Sequence, residues 1–306
     1  MLSLHGVAQT TESTALSAIW KSPSVSATHG YRDIMLHINT LLSIMQMCRS
    51  QNMNIVLFSQ EEIGSPLKID DKRAKHIIEI LKFKEDDIFF AGVINKGTGK
   101  AKIDKINKNF LYFTFEYDGK PIEKNRISLL TAITRPIEAK KILKNCTTIG
   151  VSAFYLSIFD KSEKSYFESS LWKNNNYKEY LIEGSCQACA CDIPDVFLFS
   201  SLDESLKNLP ENSIRAALDN YEAEKPLASL EYPKYIALVD GDCCMNKPPL
   251  PEIILAIAGE RGFSNRERVL LKNHGFKLYS LGNRVLKTET AAIAGLAVIL
   301  NNYKLP

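Results

Sequence analysis

Two periodicities divide the chain. From Met53 to about residue 122 the apolar positions come in short runs of strand character. Met53-Asn-Ile-Val-Leu-Phe58 reads as the first strand of a domain and Ile88 to Val93 as another. Lys100 to Ile106 alternates apolar with polar, and Phe110 to Tyr117 is rich in aromatics. Among these strands, Asp71 to Leu81 sets Ala74, Ile77, Ile78 and Leu81 at helical spacing. A short helix among short strands predicts a small β-barrel over residues 53–122. From residue 127 the pattern changes to strands alternating with helices. Ile127 to Ile133, Ser152 to Phe159, Ser213 to Leu218, Ile253 to Ala258 and Phe276 to Leu281 read as strands, and Ile137 to Thr148 as a basic helix. Such alternation predicts an α/β domain with a parallel sheet over residues 123–306. Ligands of such sheets sit at the carboxyl ends of the strands.

Residues 1–52 follow neither pattern. They hold many Ser and Thr and few charges, with one short apolar stretch from Ile34 to Met47 that predicts a single helix. They read as a poorly ordered N-terminal extension.

Composition narrows the class. The 306 residues, 45% of them hydrophobic, suit two globular domains. The net charge of +3 does not by itself point to nucleic acid. No apolar run approaches the roughly 20 residues that a membrane-spanning helix needs. The start of the chain lacks the basic and apolar regions of a secretory signal. The expectation is a cytoplasmic protein, off the membrane, whose seven cysteines are reduced thiols.

Two segments carry the chemistry. In Ile257-Ala-Gly-Glu-Arg-Gly-Phe-Ser264 a strand ends in a glycine-bearing turn and a helix begins. Ser264 and Glu267 have capping-box spacing, and Gly275 is placed to stop the helix. Gly259 and Gly262 permit positive φ and close backbone approach to a ligand. The second segment, Leu281-Gly-Asn-Arg-Val-Leu-Lys-Thr-Glu-Thr-Ala-Ala292, runs from a strand end through a polar loop. It leads into Ala291 to Leu300, a stretch so apolar that it must be buried or lie at an interface. Arg284, Lys287 and Glu289 precede that helix and would be expensive to bury without partners.

Together these segments resemble the C-terminal signature of the RsmE-type ribosomal RNA uridine methyltransferases of the SPOUT superfamily. That signature is Ile-Gly-Pro-Glu-Gly-Gly-Phe-Ser followed by Leu-Gly-x-Arg-Ile-Leu-Arg-Thr-Glu-Thr-Ala. The second motif matches closely, with Asn283, Val285 and Lys287 as variations. In the first, Ala258 and Gly259 stand at Gly-Pro and Arg261 at a glycine. Upstream, Ile149-Gly150-Val151, Glu183, Gln187 and Pro194 match further family positions. Ala190, Asn145 and Thr148 depart from them, and Tyr232 to Leu250 resembles an insertion.

The resemblance implies a PUA-like barrel followed by a SPOUT domain with a trefoil knot, working as a homodimer. It implies S-adenosyl-L-methionine as cofactor and N3 of a uridine in 16S ribosomal RNA of the small subunit as target. Cofactor-binding positions carried over are Ile257, Gly259, Glu260, Gly262, Leu281, Gly282, Leu286 and Thr288. Uridine N3 attacks poorly until its proton is lost, so a base or a stabiliser of the uracil anion is needed. Arg284 is assigned charge stabilisation or substrate contact, and Glu289 is its ionisable partner.

Basic tracts supply the RNA side. Lys96, Lys100, Lys102, Lys105 and Lys108 crowd one hairpin-like region, followed by Phe110, Tyr112, Phe113 and Phe115. Basic groups contact phosphate and exposed aromatics stack unpaired bases. The bland alternative is lysines on a solvated strand face and aromatics in a barrel core. Arg135, Lys140, Lys141 and Lys144 form a second basic face. Gly97-Thr-Gly-Lys100 lacks the upstream glycine and the Ser or Thr of a phosphate loop. Cys186, Cys189 and Cys191, with Cys243-Cys244, lack accompanying histidines, so no metal is expected. Two alternatives stay open at this point: a non-catalytic RNA-binding relative, and a metal or redox protein built on those cysteines.

Overall fold

The structure, a computed structural model, describes residues 54–122, 124–232 and 251–303. The N-terminal extension, Cys243-Cys244 and nearly all of the 232–250 insertion fall outside the described residues. Residues from Met53 onward form one compact unit.

Its first part is a five-stranded sheet. The strands are β1 (Val56–Phe58), β2 (Leu67–Lys68), β3 (Ile88–Val93), β4 (Gly97–Ile106) and β5 (Phe110–Tyr117), in the order β1-β3-β4-β5-β2. The alternation of β4 sets its faces: Ala101 and Ile103 are fully buried, while Lys100 and Lys102 point outward. Both edge strands feed one core, Val56 and Phe58 from β1 and Leu67 from β2, so the sheet curls about it. Helix α1 (Lys72–Lys75), capped by Asp71, continues as a π-helical turn through Ile80 and buries Ala74 and Ile77 there. Arg73 fastens α1 to β1. Its guanidinium donates to Glu62, Asp71 and the Leu57 carbonyl, the last at 3.1 Å, and lies 5.2 Å over the Phe58 ring. That guanidinium holds the Glu62 and Asp71 carboxyls below their ordinary values.

The second part is a seven-stranded, all-parallel sheet in the order β10-β12-β9-β11-β6-β7-β8. Its strands are β6 (Ile127–Ala132), β7 (Ala153–Ser157), β8 (Asp195–Phe199), β9 (Ser213–Leu218), β10 (Lys225–Pro226), β11 (Glu252–Ile257) and β12 (Lys277–Ser280). Every residue of β6 and β7 is buried, as expected for central strands covered on both faces. The period of two sorts them. Leu129, Ile253 and Leu255 face a core built with α2 (Pro136–Ile149), α5 (Tyr177–Gln187) and α8 (Thr288–Tyr303). Leu130, Ile254 and Ala256 face the opposite core, with α6 (Leu202–Lys207) and α7 (Asn265–Asn273). Two short helices, α3 (Lys164–Phe167) and α4 (Ser170–Lys173), fill the β7–α5 connection. The result is a three-layer α/β/α arrangement.

Helices α2 and α5 approach closely at Gly184. A Cβ there would lie 2.4 Å from the Lys144 carbonyl oxygen and 2.8 Å from Thr147 Cβ. Thr148 bridges the same contact, its hydroxyl within 3.1 Å of the Lys144 and Gly184 carbonyl oxygens. A backbone oxygen cannot swing aside, so Gly184→Ala is expected to lower stability by about 1–3 kcal/mol, in the range of core overpacking. A chemical-denaturation midpoint equal to wild type would show that the helices separate freely.

Candidate active site

The strands β6, β9, β11 and β12 all run toward one cleft of about 610 Å³ at the carboxyl edge of the parallel sheet. That size falls within the range of small-molecule sites, and the place is where open parallel sheets bind ligands. Its walls are Leu218 to Tyr221 beyond β9, Ile257 to Phe263 beyond β11, and Leu281 with Val285 to Glu289 beyond β12. Arg135 and Glu138, at the start of α2, and Ala291 of α8 complete them.

The glycine loop after β11 is fastened from outside the cleft. Ser264 caps α7, its hydroxyl accepting from the Glu267 amide at 3.1 Å. The fully buried Glu267 carboxylate accepts from the Ser264 amide and, with its other oxygen, from the Asp160 amide, both at 2.7 Å. One carboxylate thus ties the loop after β11 to the loop after β7. Lys161 adds to this tie, donating to the carbonyls of Arg261 at 3.1 Å and Phe263 at 3.0 Å. Arg261, which stands where the resembled signature has glycine, turns its guanidinium to Glu163 at 3.4 Å. Gly262 has φ +68°, backbone that a side chain would strain. Gly259 does not share that backbone. Its missing side chain matters for space, since a Cβ there would come 3.1 Å from Ala132 Cβ. Positive φ therefore applies at Gly262 and not at Gly259.

The turn after β9 is built on a buried ion pair. Asp219 Oδ1 accepts from the amides of Tyr221 and Glu222, both at 2.7 Å. Asp219 Oδ2 receives Arg268 Nε at 2.8 Å, and both side chains are almost wholly enclosed. Arg268 also donates to Asn265 at 3.0 Å, and its guanidinium lies 5.1 Å from the Tyr221 ring centroid.

The third wall is the entry to α8. Thr288 is buried and Glu289 half-buried. Across the cleft, Lys141 hydrogen-bonds to Glu138 at 3.1 Å. This contact, and then a hydrogen bond shared with Glu289, hold the Glu138 carboxyl below its ordinary value. Arg135 lies 3.7 Å from Glu260 and donates to the Tyr166 hydroxyl at 3.0 Å.

The positions singled out from the sequence distribute as follows. Ile257, Gly259, Glu260, Gly262, Leu281, Leu286, Thr288, Glu289 and Arg135 line the same cleft. Gly282 and Arg284 are exposed beside it rather than in its wall, and Arg284 has no hydrogen bond or ion pair among the described residues. Lys140 lies 5.2 Å from the Tyr180 ring centroid, and Lys144 pairs with Glu183 at 3.1 Å. Both therefore help join α2 to α5. On the five-stranded sheet Lys102 pairs with Asp86 at 2.7 Å, and Lys100 faces Glu116 across the strands. The aromatics of β5 divide: Phe113 is in the core and Tyr112 faces out. Cys191 packs against Ile55 and Leu57, and burial pushes its thiol up to about 11. Asp219, Asn220, Tyr221 and Glu138 escaped the sequence reading. The available signal was the polar Asp-Asn-Tyr immediately after the apolar end, Ala216-Ala-Leu218, of a strand.

Comparison with known proteins agrees with this geometry. The family model described as RNA methyltransferase domain matches residues 121–300, and that described as RNA methyltransferase PUA domain matches residues 69–116. Ribosomal RNA small subunit methyltransferase E of Treponema pallidum (strain Nichols) is 31% identical over 255 residues, 82% of this chain and 91% of that protein. Ribosomal RNA small subunit methyltransferase E 1 of Borreliella burgdorferi is 28% identical over 244 residues, 79% and 95% of the two chains. Among solved structures, ribosomal RNA small subunit methyltransferase E from Neisseria gonorrhoeae bound to S-adenosyl methionine superposes with a TM-score of 0.64 at 18% identity. That match covers 81% of this chain and 98% of the other. The chain belongs to the RsmE-type family of RNA methyltransferases.

Proposed function

We propose that the protein transfers a methyl group from S-adenosylmethionine to N3 of a uridine in 16S ribosomal RNA of the small subunit. The observation that carries this reading is the cleft itself. In a chain of an RNA methyltransferase family, the two motif loops converge on one cavity at the carboxyl edge of a parallel sheet.

The lining fits the cofactor. Leu218, Ile257, Leu281 and Leu286 offer apolar surface to an adenine ring. Glu138, Glu260 and Glu289 give an acidic surrounding for a sulfonium and an ammonium, and Arg135 and Lys287 are cations for a carboxylate. The side-chain-free backbone at Gly259 and Gly262 allows close approach. When bound, the cofactor supplies an electrophilic methyl group on a positively charged sulfur. The remaining work is positioning and management of the uridine proton. In this reading Glu289 receives the N3 proton, with Glu138 sharing its charge, and Arg284 stabilises the negative charge that develops on the uracil. Lys100 and Lys102 on the outward face of β4, Arg135 just before α2, and Lys140 and Lys144 on α2, meet the RNA backbone.

The reading extends to two domains, residues 53–122 and 123–306, to a trefoil knot in the second, and to a cytoplasmic homodimer. The insertion of β11 between β9 and β6, with β12 returning beyond β9, supports a chain that crosses its own path. Ala297 is exposed and Ile293, Ala294 and Val298 half-exposed on the apolar α8, which supports a subunit contact. Among the described residues no helix is long and apolar enough to cross a membrane.

Two measurements test this. Titration calorimetry is expected to show one S-adenosylmethionine site per chain. Mass spectrometry of ribosomal RNA nucleosides is expected to show N3-methyluridine in cells with the protein and none in cells without it. Absent heat from a folded protein would defeat the cofactor assignment, and unchanged nucleosides the target.

A further inference from the structure

The turn after β9 presents an aromatic ring whose restraint and exposure do not match. Tyr221 is 80% exposed, yet its backbone is anchored and one face of its ring is covered. Its amide is fixed by Asp219, and one ring face is covered by the enclosed guanidinium of Arg268, 5.1 Å from the centroid. Its Cε2 comes within 3.9 Å of where a Cβ at Gly262 would sit. Isolated exposed aromatics are ordinary on protein surfaces. A ring backed by a buried cation and set in the wall of a transfer cleft differs, because one of its faces is already occupied and the other is turned free before any ligand arrives.

We propose that the free face of Tyr221 stacks on the target nucleobase turned out of the RNA, making it a positioning residue of methyl transfer. The proposal rests on the cleft being the RNA methyl-transfer site. A flat ring already ordered loses little entropy on stacking, and bases taken out of a helix are commonly received between aromatic and apolar side chains. Val285, 82% exposed in the same cleft wall, offers such an apolar neighbour. The adenine of the cofactor presents the same chemistry. The enclosed Ile257 and the half-buried Leu218 and Leu281 suit it better, since a small ligand is covered most fully in the interior of a pocket.

The test uses the full chain with Tyr221→Ala and Tyr221→Phe. Anisotropy of a labelled 16S ribosomal RNA hairpin gives RNA affinity. Calorimetry gives S-adenosylmethionine affinity, methyl-transfer kinetics give kcat and KM, and light scattering gives mass. Tyr221→Ala is expected to weaken RNA binding roughly tenfold to a hundredfold, the span of one base stack. It should leave cofactor affinity, melting temperature and mass as in wild type, and Tyr221→Phe should restore RNA affinity. RNA affinity unchanged in Tyr221→Ala would overturn the proposal. So would a loss confined to S-adenosylmethionine binding, which would assign the ring to adenine, or a halved mass, which would assign it to a partner subunit. If wild type itself fails to bind the cofactor or methylate RNA, the functional reading of the cleft fails. The anisotropy comparison still decides the stacking.

Discussion

Asp219→Ala is expected to lower the melting temperature by about 10 °C and to weaken cofactor binding together with it. Removing this carboxylate leaves the Arg268 guanidinium enclosed and short of its main partner, since Glu222 is 3.9 Å away. Breaking a buried pair from one side typically costs about 3–5 kcal/mol, because the surviving charge is desolvated without compensation. For a unit of this size that corresponds to the shift given. The amides of Tyr221 and Glu222 lose their acceptor at the same time, so the wall of the cleft loosens. Asp219→Asn keeps an acceptor for those amides while losing the charge, and should fall between wild type and alanine. Adding Arg268→Leu to Asp219→Ala removes the stranded charge and should recover part of the stability. Calorimetric melts of the four proteins check this. An Asp219→Ala protein as stable as wild type would mean that water or Glu222 already neutralises Arg268.

Arg284→Ala is expected to do the reverse, sparing the fold and disabling the reaction. The side chain is exposed and without an ion pair among the described residues, so its loss should move the melting temperature and cofactor affinity little. Removing a donor aimed at developing negative charge typically lowers the rate by about a hundredfold or more, or roughly 2.7–4 kcal/mol. Single-turnover methyl transfer at saturating RNA isolates that step. A wild-type rate would remove Arg284 from the mechanism. Collapse of stability and cofactor binding together would make it a structural residue.

Much of the parallel sheet was readable from the chain. Central strands such as Ile127–Ala132 and Glu252–Ile257 are rich in apolar residues and almost wholly buried, and the capping residues Ser264 and Glu267 mark the start of α7. Less legible were elements whose identity comes from neighbours. β8 is an edge strand with half-exposed residues, and β2 and β10 have two residues each, too few for any period to show. At the site, the motif loops pointed to the cleft, but Tyr221, Asp219 and Glu138 lie far from those loops in sequence. Their partners, Arg268 and Lys141, are known only once the sheet has brought the segments together. Charge content misled for a similar reason. A run of lysines looks the same in sequence whether each faces solvent or, as Lys144 does, a glutamate on the next helix.

The place of β11 in the sheet bears on how the protein is made. Chains emerge from the ribosome in order, and segments fold as soon as their partners are available. β6, β7 and β8 can assemble early, but the flank of β6 that β11 will occupy stays open until residues 252–257 have been synthesised. β9 waits longer in effect, because both of its neighbours, β11 and β12, follow it in the chain. For that interval the nascent protein carries two apolar strands with unsatisfied edges, which are templates for pairing with other chains. The middle of the sheet, its most enclosed part when complete, therefore closes only after both of its flanking strands have been made, and the gap that β12 fills beside β9 closes last. Slow elongation or truncation before residue 252 would leave the newborn chain most open to association with its neighbours.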